Sequence, residues 1–550
     1  MRLESPSVVS SDVLIIGGGG AGLRAAIEAR KLGVEVLLAC KSRAGYGNNT
    51  AISKGAFAAA VDVNTADSPE VHLRDTVIAG RFLNNQRLVE SVVYGACEQV
   101  ADLQSFGVEF NRWEGELRVF LVPGHTNPRH ISCQRGLGIG LTLPMRAYAA
   151  SIGVKFAENV LITRLMVEDR AVVGAVGLNR DGQTFVFFAR STIIACGGLG
   201  QIYLNTNNAV GTTGDGYTLA YDAGASLADM EFVQFYPTAL GQRGARMVPY
   251  EAFVSYGGGV IRNSLGENVL EKYGLRDTLT MTRDQVSRAV MQEILGGRVV
   301  EGKLILDLSS LAPELRDNLS FLLPPKTSPQ EKQFLVSPTT HYAMGGVSIG
   351  ADTSTELGNL FAAGEICAGM HGANRLGGNA ITEILVMGAI AGKKAAEKAK
   401  RVAAIPYATL QADAEIQRLT ALGSTSGTTI ASELREHLKE TMWYRAGIIR
   451  EKEGLAQALT DIDTIEQGHS TLVVRSPREL WEAVELGNML TVSRMVCRAA
   501  LERRESRGAH YRKDYPEEND KEWLKTIVIS RHDGDMLLSA QPVELLKIAP

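Results

Sequence analysis

Residues 13–40 constrain the fold of this chain more than any other segment. Val13-Leu14-Ile15-Ile16 is a short, largely β-branched apolar run, as expected for a strand buried on both faces. It leads directly into Gly17-Gly18-Gly19-Gly20-Ala21-Gly22. Leu23-Arg24-Ala25-Ala26-Ile27-Glu28-Ala29-Arg30 follows at helical period, and then a second strand, Val34-Glu35-Val36-Leu37-Leu38. Strand, G-x-G-x-x-G, helix and strand in that order make a glycine pattern a dinucleotide site. Gly17 permits the tight turn, and Gly19 lets the backbone approach a pyrophosphate. Gly22 lets the helix pack closely on the strand, with the helix N-terminus facing the anion. The pattern alone does not separate FAD from NAD. A ribose-binding acid belongs roughly 20 residues on, and Ala39-Cys40-Lys41 stands there instead, which counts against NAD.

A chain of 550 residues exceeds a single hydrophobic core, so two or more domains are expected. With 45% apolar and 21% charged residues and a net charge of −4, it shows neither a basic stripe nor a run of like charges. Nucleic acid and anionic membrane surfaces are therefore not expected partners. The N-terminus, MRLESPSVVSSDVLIIGGGG, lacks a basic stretch followed by a continuous apolar one, so no signal peptide is expected. No uncharged apolar run approaches the roughly 20 residues that cross a bilayer. The six cysteines include no CxxC pair, and no His/Cys/Asp cluster has metal-ligand spacing. That excludes an iron–sulfur cluster with ordinary local ligands and fits buried thiols in a reducing cytoplasm.

Downstream, Thr213-Gly214-Asp215-Gly216, His341-Tyr342-Ala343-Met344-Gly345-Gly346 and His371-Gly372-Ala373-Asn374-Arg375-Leu376-Gly377-Gly378-Asn379 stand in order, followed by Arg504-Glu505-Ser506-Arg507-Gly508-Ala509-His510. These segments closely resemble the flavoprotein subunits of succinate dehydrogenase and fumarate reductase, a group that includes L-aspartate oxidase. The resemblance covers nearly the whole chain. It implies an α/β fold with a Rossmann-like FAD-binding domain over 1–227 and 341–400. An α+β capping domain would be inserted at 228–340, and a C-terminal helical domain with an irregular tail would occupy 401–550. Apolar spacing of three and four residues in 416–422, 431–443 and 477–504 agrees with helices there.

The resemblance also assigns roles. Gly17, Gly19, Gly22, Lys41, Asn49, Thr50, Gly197, Gly198, Asp215, Glu365, Asn379 and Ile381 would form the FAD shell, with Glu365 bonding to sugar or ribityl hydroxyls. Membrane-bound relatives attach FAD through a histidine just before a threonine. Asn49 precedes Thr50 here, and an amide is no nucleophile, so noncovalent FAD is expected. The family's chemistry is hydride exchange between flavin N5 and one carbon of a dicarboxylate, with a proton moved at the adjacent carbon. Arg283 maps to the proton shuttle, Glu251 and Arg288 to its relay, and His341 and Arg375 to the grip on one carboxylate. His125 matches a segment beside the flavin. Where relatives carry a histidine and a threonine for the second carboxylate, this chain has Tyr236 and Tyr250; both are expected to face the substrate.

Succinate and fumarate are the default pair. The alternatives are another substituted or unsaturated acid, L-aspartate oxidation, and a flavin-binding assembly subunit without turnover. Other redox centres would lie on a partner, and the stretch from Arg504 to Trp523 resembles tails that dock an iron–sulfur subunit. A cytoplasmic location is expected, at the cytoplasmic membrane only where partner subunits bring the chain there.

Overall fold

In the computed structural model the opening run forms strand β1 (Ser7–Ile16), helix α1 (Gly20–Lys31) and strand β2 (Val36–Cys40). The structure describes residues 5–61, 66–134, 137–276, 281–323, 327–328, 330–404, 408–423 and 427–550. Strands β3 (Lys155–Glu158), β4 (Val160–Glu168), β5 (Ala171–Asn179) and β6 (Thr184–Ile194) extend the sheet in the order β3-β2-β1-β6-β5-β4. β1 runs parallel to both neighbours, with Val13, Leu14 and Ile15 opposite Val36, Leu37 and Leu38 on one side. A central parallel strand has no face left for water, and these three residues are fully buried. β4, β5 and β6 pair antiparallel, so the sheet is mixed.

The chain then leaves this body and builds a second sheet. Strands β7 (Val233–Leu240), β8 (Arg246–Met247) and β9 (Val260–Arg262) come first, then helix α2 (Arg283–Leu295) and strands β10 (Leu304–Asp307) and β11 (Gln333–Ala343). The order is β8-β7-β11-β10-β9, antiparallel throughout. This cap has its own apolar cluster, including Tyr236, Phe253, Val286, Leu306 and Val336. Its outgoing strand β7 and returning strand β11 pair with each other, with register shifts after Gln234 and after Tyr236.

Back in the first body, β12 (Leu360–Ala362) joins β6 in parallel, and α3 (Asn379–Ala399) packs along α1. Small residues bring the two helices into backbone contact. A Cβ at Gly388 would lie 2.8 Å from the Ala21 carbonyl oxygen, and one at Gly392 2.3 Å from that of Ala25. The two contacts run in the same order along both helices, so α1 and α3 are parallel, with the middle of α3 level with the start of α1.

Helices α4 (Ala431–Arg445), α5 (Lys452–Ser470) and α6 (Pro477–Glu502) pack on one another and add Leu438, Leu455 and Leu480 to the main core. The tail departs from the irregular segment expected. It forms a hairpin of β13 (Lys525–His532) and β14 (Asp535–Pro542), joined at Asp533-Gly534. Both turn residues have positive φ, 49° and 93°, the conformation that Asp-Gly supplies in tight hairpins. β13 pairs with Leu227–Ala228, which pairs in turn with Gly346–Val347.

Candidate active site

The β1–α1 turn is built for a ligand. Gly17 has φ +125°, and a Cβ there would lie 2.1 Å from the Ala195 carbonyl oxygen; at Gly22 it would lie 1.9 Å from that of Gly17. At Gly19 a Cβ would meet nothing nearer than Asn48 at 3.8 Å, so the turn is open on that side. Gly19 caps α1 without a side-chain hydrogen bond, and the first turn holds no acid. Of its N–H groups, Gly20 donates to Thr50 Oγ1 (3.3 Å). The start of α3 likewise has no side-chain cap and no acid. A helix N-terminus directly behind a glycine turn, without a side-chain cap or an acid in its first turn, matches the anionic pyrophosphate of FAD.

Around this cradle, Asn49 donates to Glu365 Oε2 (3.2 Å) and Asn208 Oδ1 (3.0 Å), while its carbonyl accepts from Ala209 N–H (2.9 Å). Glu365 also accepts from Ala343 N–H (3.2 Å), and burial holds its carboxyl up at about 7. Gly198 packs against it, where a Cβ would lie 2.2 Å from Glu365 Oε1, and neighbouring Gly197 has φ +75°. A buried carboxyl of this kind suits ligand hydroxyls, so the residues present fit FAD.

Other residues of the expected shell stand further back. Lys41 is held between Asp215 (2.6 Å) and Glu485 (2.9 Å), and Asp215 also accepts from Asn488 (2.8 Å). This pair joins the first body to α6 rather than presenting a free charge. Asn379 spends its amide on Thr76 Oγ1 (2.9 Å) and His72 Nε2 (2.8 Å), fixing the start of α3, where Ile381 is also buried. His125 sits with Nδ1 3.0 Å from Arg129 Nη1 and Nε2 2.8 Å from the Gly377 carbonyl oxygen. Burial pushes it down to about 4, so the ring is neutral.

The acid–base pair comes from the cap. Arg283 is the first residue of α2, where its charge meets the positive end of the helix dipole, and Glu251 compensates it at 2.9 Å. Burial pushes the Glu251 carboxyl up, but Arg283 and then other partners outweigh this and hold it below its ordinary range. From the other body Arg375 approaches, oriented by Gln234 Oε1 (3.1 Å) while Gln234 donates to the Arg375 carbonyl oxygen (2.9 Å). Arg375 is buried, its Nε has no partner, and it forms no ion pair among the described residues. Burial, then Arg283, pushes it down to about 10. His341 lies near the end of β11 with Nδ1 3.1 Å from the Asn207 amide. Burial, Arg375, Arg283 and Lys54 push its pKa well down, so it is neutral. A cavity of about 540 Å³ is lined by Gln234, Tyr250, Glu251, Arg283 and Arg375.

Three expected residues are placed differently. Arg288 does not reach Glu251. It lines the same cavity but lies 3.6 Å from Asp284 and over the Tyr511 ring. Tyr236 donates to Glu251 Oε2 (2.5 Å) and accepts from Tyr250 N–H (3.0 Å), with the Arg283 guanidinium over its ring. Tyr250 donates to the Met281 carbonyl oxygen (3.1 Å). Both phenol hydroxyls are therefore turned to the protein, because a buried hydroxyl must be satisfied and these acceptors are nearer at hand. The sequence reading also passed over Gln234 and Asn207. Gln234 stands in the run Gln234-Phe235-Tyr236-Pro237-Thr238, the one signal that could have found it.

An unpaired guanidinium and a neutral imidazole beside an arginine–carboxylate pair can hold an anion and move a proton. The FAD binding domain model matches residues 12–381, and the fumarate reductase flavoprotein C-terminal model matches 435–550. The chain is 38% identical over 540 residues to one of the subunits of the fumarate reductase (CoM/CoB) of Methanothermobacter marburgensis, covering 94% of this chain and 97% of that one. It is 31% identical over 583 residues to the succinate dehydrogenase flavoprotein subunit of Rickettsia bellii, covering 98% and 96%. A flavoprotein-chain variant of E. coli quinol fumarate reductase superposes with a TM-score of 0.91 at 28% identity over 99% and 98% of the two chains. The chain therefore belongs to the succinate dehydrogenase/fumarate reductase flavoprotein family and is an FAD-dependent oxidoreductase.

Proposed function

We propose that this enzyme interconverts a saturated and an α,β-unsaturated carboxylate, with succinate and fumarate as the default pair. The observation that carries the reading is Arg375: a buried guanidinium without an ion-pair partner among the described residues, lining one cavity with Arg283 and Glu251. Such a cation is stable when a carboxylate fills its site. Arg375 and His341 hold that carboxylate and draw electron density from the conjugated double bond. Arg283 gives the proton to the adjacent carbon, or takes it in the reverse direction, and Glu251 exchanges the proton with Arg283. Tyr236 fixes the Glu251 carboxylate for that exchange. Bound FAD supplies the hydride exchange.

The test is anaerobic flavin spectroscopy with a substrate panel. Succinate should bleach oxidised flavin, or fumarate should reoxidise dithionite-reduced flavin. Response to L-aspartate alone, or to another acid alone, would replace the pair named here, and no response to any acid would sink the reading.

The cofactor is proposed to be noncovalent, because Asn49 has no nucleophile and its amide is committed to Glu365, Asn208 and Ala209. Acid precipitation is expected to leave yellow FAD in the supernatant; flavin retained on the denatured chain would refute this. An iron–sulfur subunit is the proposed electron partner. The six cysteines form no disulfide, and no metal-binding group of His, Cys, Asp or Glu occurs among the described residues. The Methanothermobacter relative is itself named as one subunit of its enzyme. Among the described residues no helix is long and apolar enough to cross a membrane.

A further inference from the structure

Five arginines line the cavity: Arg81, Arg283, Arg288, Arg375 and Arg507. Four of them are in ion pairs. Arg81 and Arg507 share Glu518, Arg283 has Glu251, and Arg288 has Asp284. Asp75 and Glu517 complete the acids of the lining, and Arg129 takes Asp75 from behind (2.6 Å). Arg375 alone forms no ion pair among the described residues, although five carboxylates line the space on which it opens. Opposite charges attract strongly where water is excluded. Whatever keeps Arg375 from closing on one of these carboxylates is therefore part of the anion grip itself.

Hydrogen bonds do part of this. Nη2 donates to Gln234 Oε1 (3.1 Å) and Nη1 to the Leu376 carbonyl oxygen (3.3 Å), while Nε has no partner. The face of the guanidinium lies over the Tyr342 ring, with Cζ 4.8 Å from the centroid, inside the reach of a cation–π contact. An ion pair here would use up the N–H donors that a bound carboxylate needs. A ring face uses none of them. The ring is in turn immobilised. Tyr342 belongs to β11, and its hydroxyl donates to Glu383 Oε2 on α3 (2.5 Å). His371 Nε2 lies 3.0 Å from that oxygen and 3.2 Å from the phenol oxygen, and its ring meets the Tyr342 ring edge-on, with centroids 5.2 Å apart. All three residues are buried, and none of them lines the cavity. Glu383 and His371 thus fix the ring from behind, against both tipping and turning.

Resting on the carboxylate reading above, we propose that Tyr342 is a positioning residue for Arg375: its ring, fixed by Glu383 and His371, seats the guanidinium and leaves its free N–H groups to the substrate carboxylate. A weaker ring face then lets Arg375 leave its seat for the carboxylates of the cavity, and ligand binding carries the cost of bringing it back. Were the ring only a source of negative potential, weakening it would leave the guanidinium in place and tighten anion binding. The experiment is a flavin-difference titration of the FAD-loaded full chain with malonate, or with propionate where wild type binds no dicarboxylate. The variants are Tyr342→Phe and the same position carrying phenylalanine with one to four ring fluorines, which drain the ring face of electron density at nearly constant shape. Affinity should stay within about threefold of wild type for Tyr342→Phe and fall with each fluorine, roughly tenfold to thirtyfold in all, the scale of a cation–π contact out of water. An affinity that is flat or rises along the series overturns the proposal. So does a loss already complete in Tyr342→Phe, which would place the effect in the hydroxyl. Should Tyr342→Phe lose its flavin, ring-fluorinated tyrosines, which keep the bond to Glu383, carry the series and decide by the same rule. Wild type that binds neither ligand removes the carboxylate reading and this role with it, whereas a flat series in protein that binds malonate leaves that reading standing.

Discussion

Arg283, Glu251 and Tyr236 form one hydrogen-bonded line, and each can be tested by a change of a few atoms. Arg283→Gln keeps a planar polar group but cannot deliver a proton, so turnover should fall by at least about 100-fold, the scale of general acid–base contributions. Carboxylate binding, followed by flavin-difference titration, should change much less. Turnover within a few-fold of wild type would remove Arg283 from the proton path. Tyr236→Phe removes a hydrogen bond that helps hold the Glu251 carboxyl below its ordinary range. Losing it raises that pKa, so the acid limb of the pH–rate profile should move to higher pH with Tyr236→Phe. An unmoved limb would mean that Glu251 does not govern the rate. Residues of this kind were only partly legible in the sequence. The positions of Arg283, Glu251 and Arg375 came from short motifs, whereas what Tyr236, Tyr250 and Arg288 touch is decided by neighbours distant in the chain.

At the level of elements, the cofactor end was the most readable part of the sequence, because its requirements are local. Tight turn, close approach and helix start all lie within Gly17–Gly22, and a Cβ at either end of that run would strike backbone. The pairing of α1 with α3 was not readable, since it joins residues some 365 positions apart. Gly392→Val tests it. A side chain there would press on the Ala25 carbonyl, and overpacking of this sort costs about 1–3 kcal/mol. The variant should melt at lower temperature and purify with less FAD, measured by thermal scan and flavin absorbance. Full flavin content with an unchanged melting temperature would show that the helices can separate freely. The tail shows the opposite failure. Asp533-Gly534 between alternating residues is a recognised hairpin signal, and the likeness to a tail described as irregular hid it.

Across the whole molecule, a buried ionic cluster ties the C-terminal segment to the root of the cap. Arg503 reaches Glu231 (2.6 Å), Glu505 (3.1 Å) and Asp229 (3.6 Å), and Arg507 reaches Glu505, Glu518 and Asp520. Arg503→Met would leave Glu231 and Asp229 without their cation while Glu505 keeps Arg507, a loss of about 3–5 kcal/mol for a broken buried pair. Burial, then Glu231, already raises Asp229, and a carboxyl raised in the folded state stabilises fully below its unfolded pKa and loses that contribution as pH rises through the folded one. Without the guanidinium the rise is larger, so the melting-temperature gap between wild type and Arg503→Met should widen from pH 5.5 to pH 8. A gap independent of pH would place the damage in packing instead.

The paired strands β7 and β11 are the route by which the cap leaves and re-enters the first body, and their register slips twice at the root. Glu251 and Arg283 ride on one side of that root and Arg375 on the other, with His341 near the end of β11. Proton handling and anion grip are thus stored on separate parts and exist together only when those parts are brought face to face. In the reading proposed above, a change that displaces the cap at this root would part the proton-handling residues from the anion grip even with every side chain of both intact.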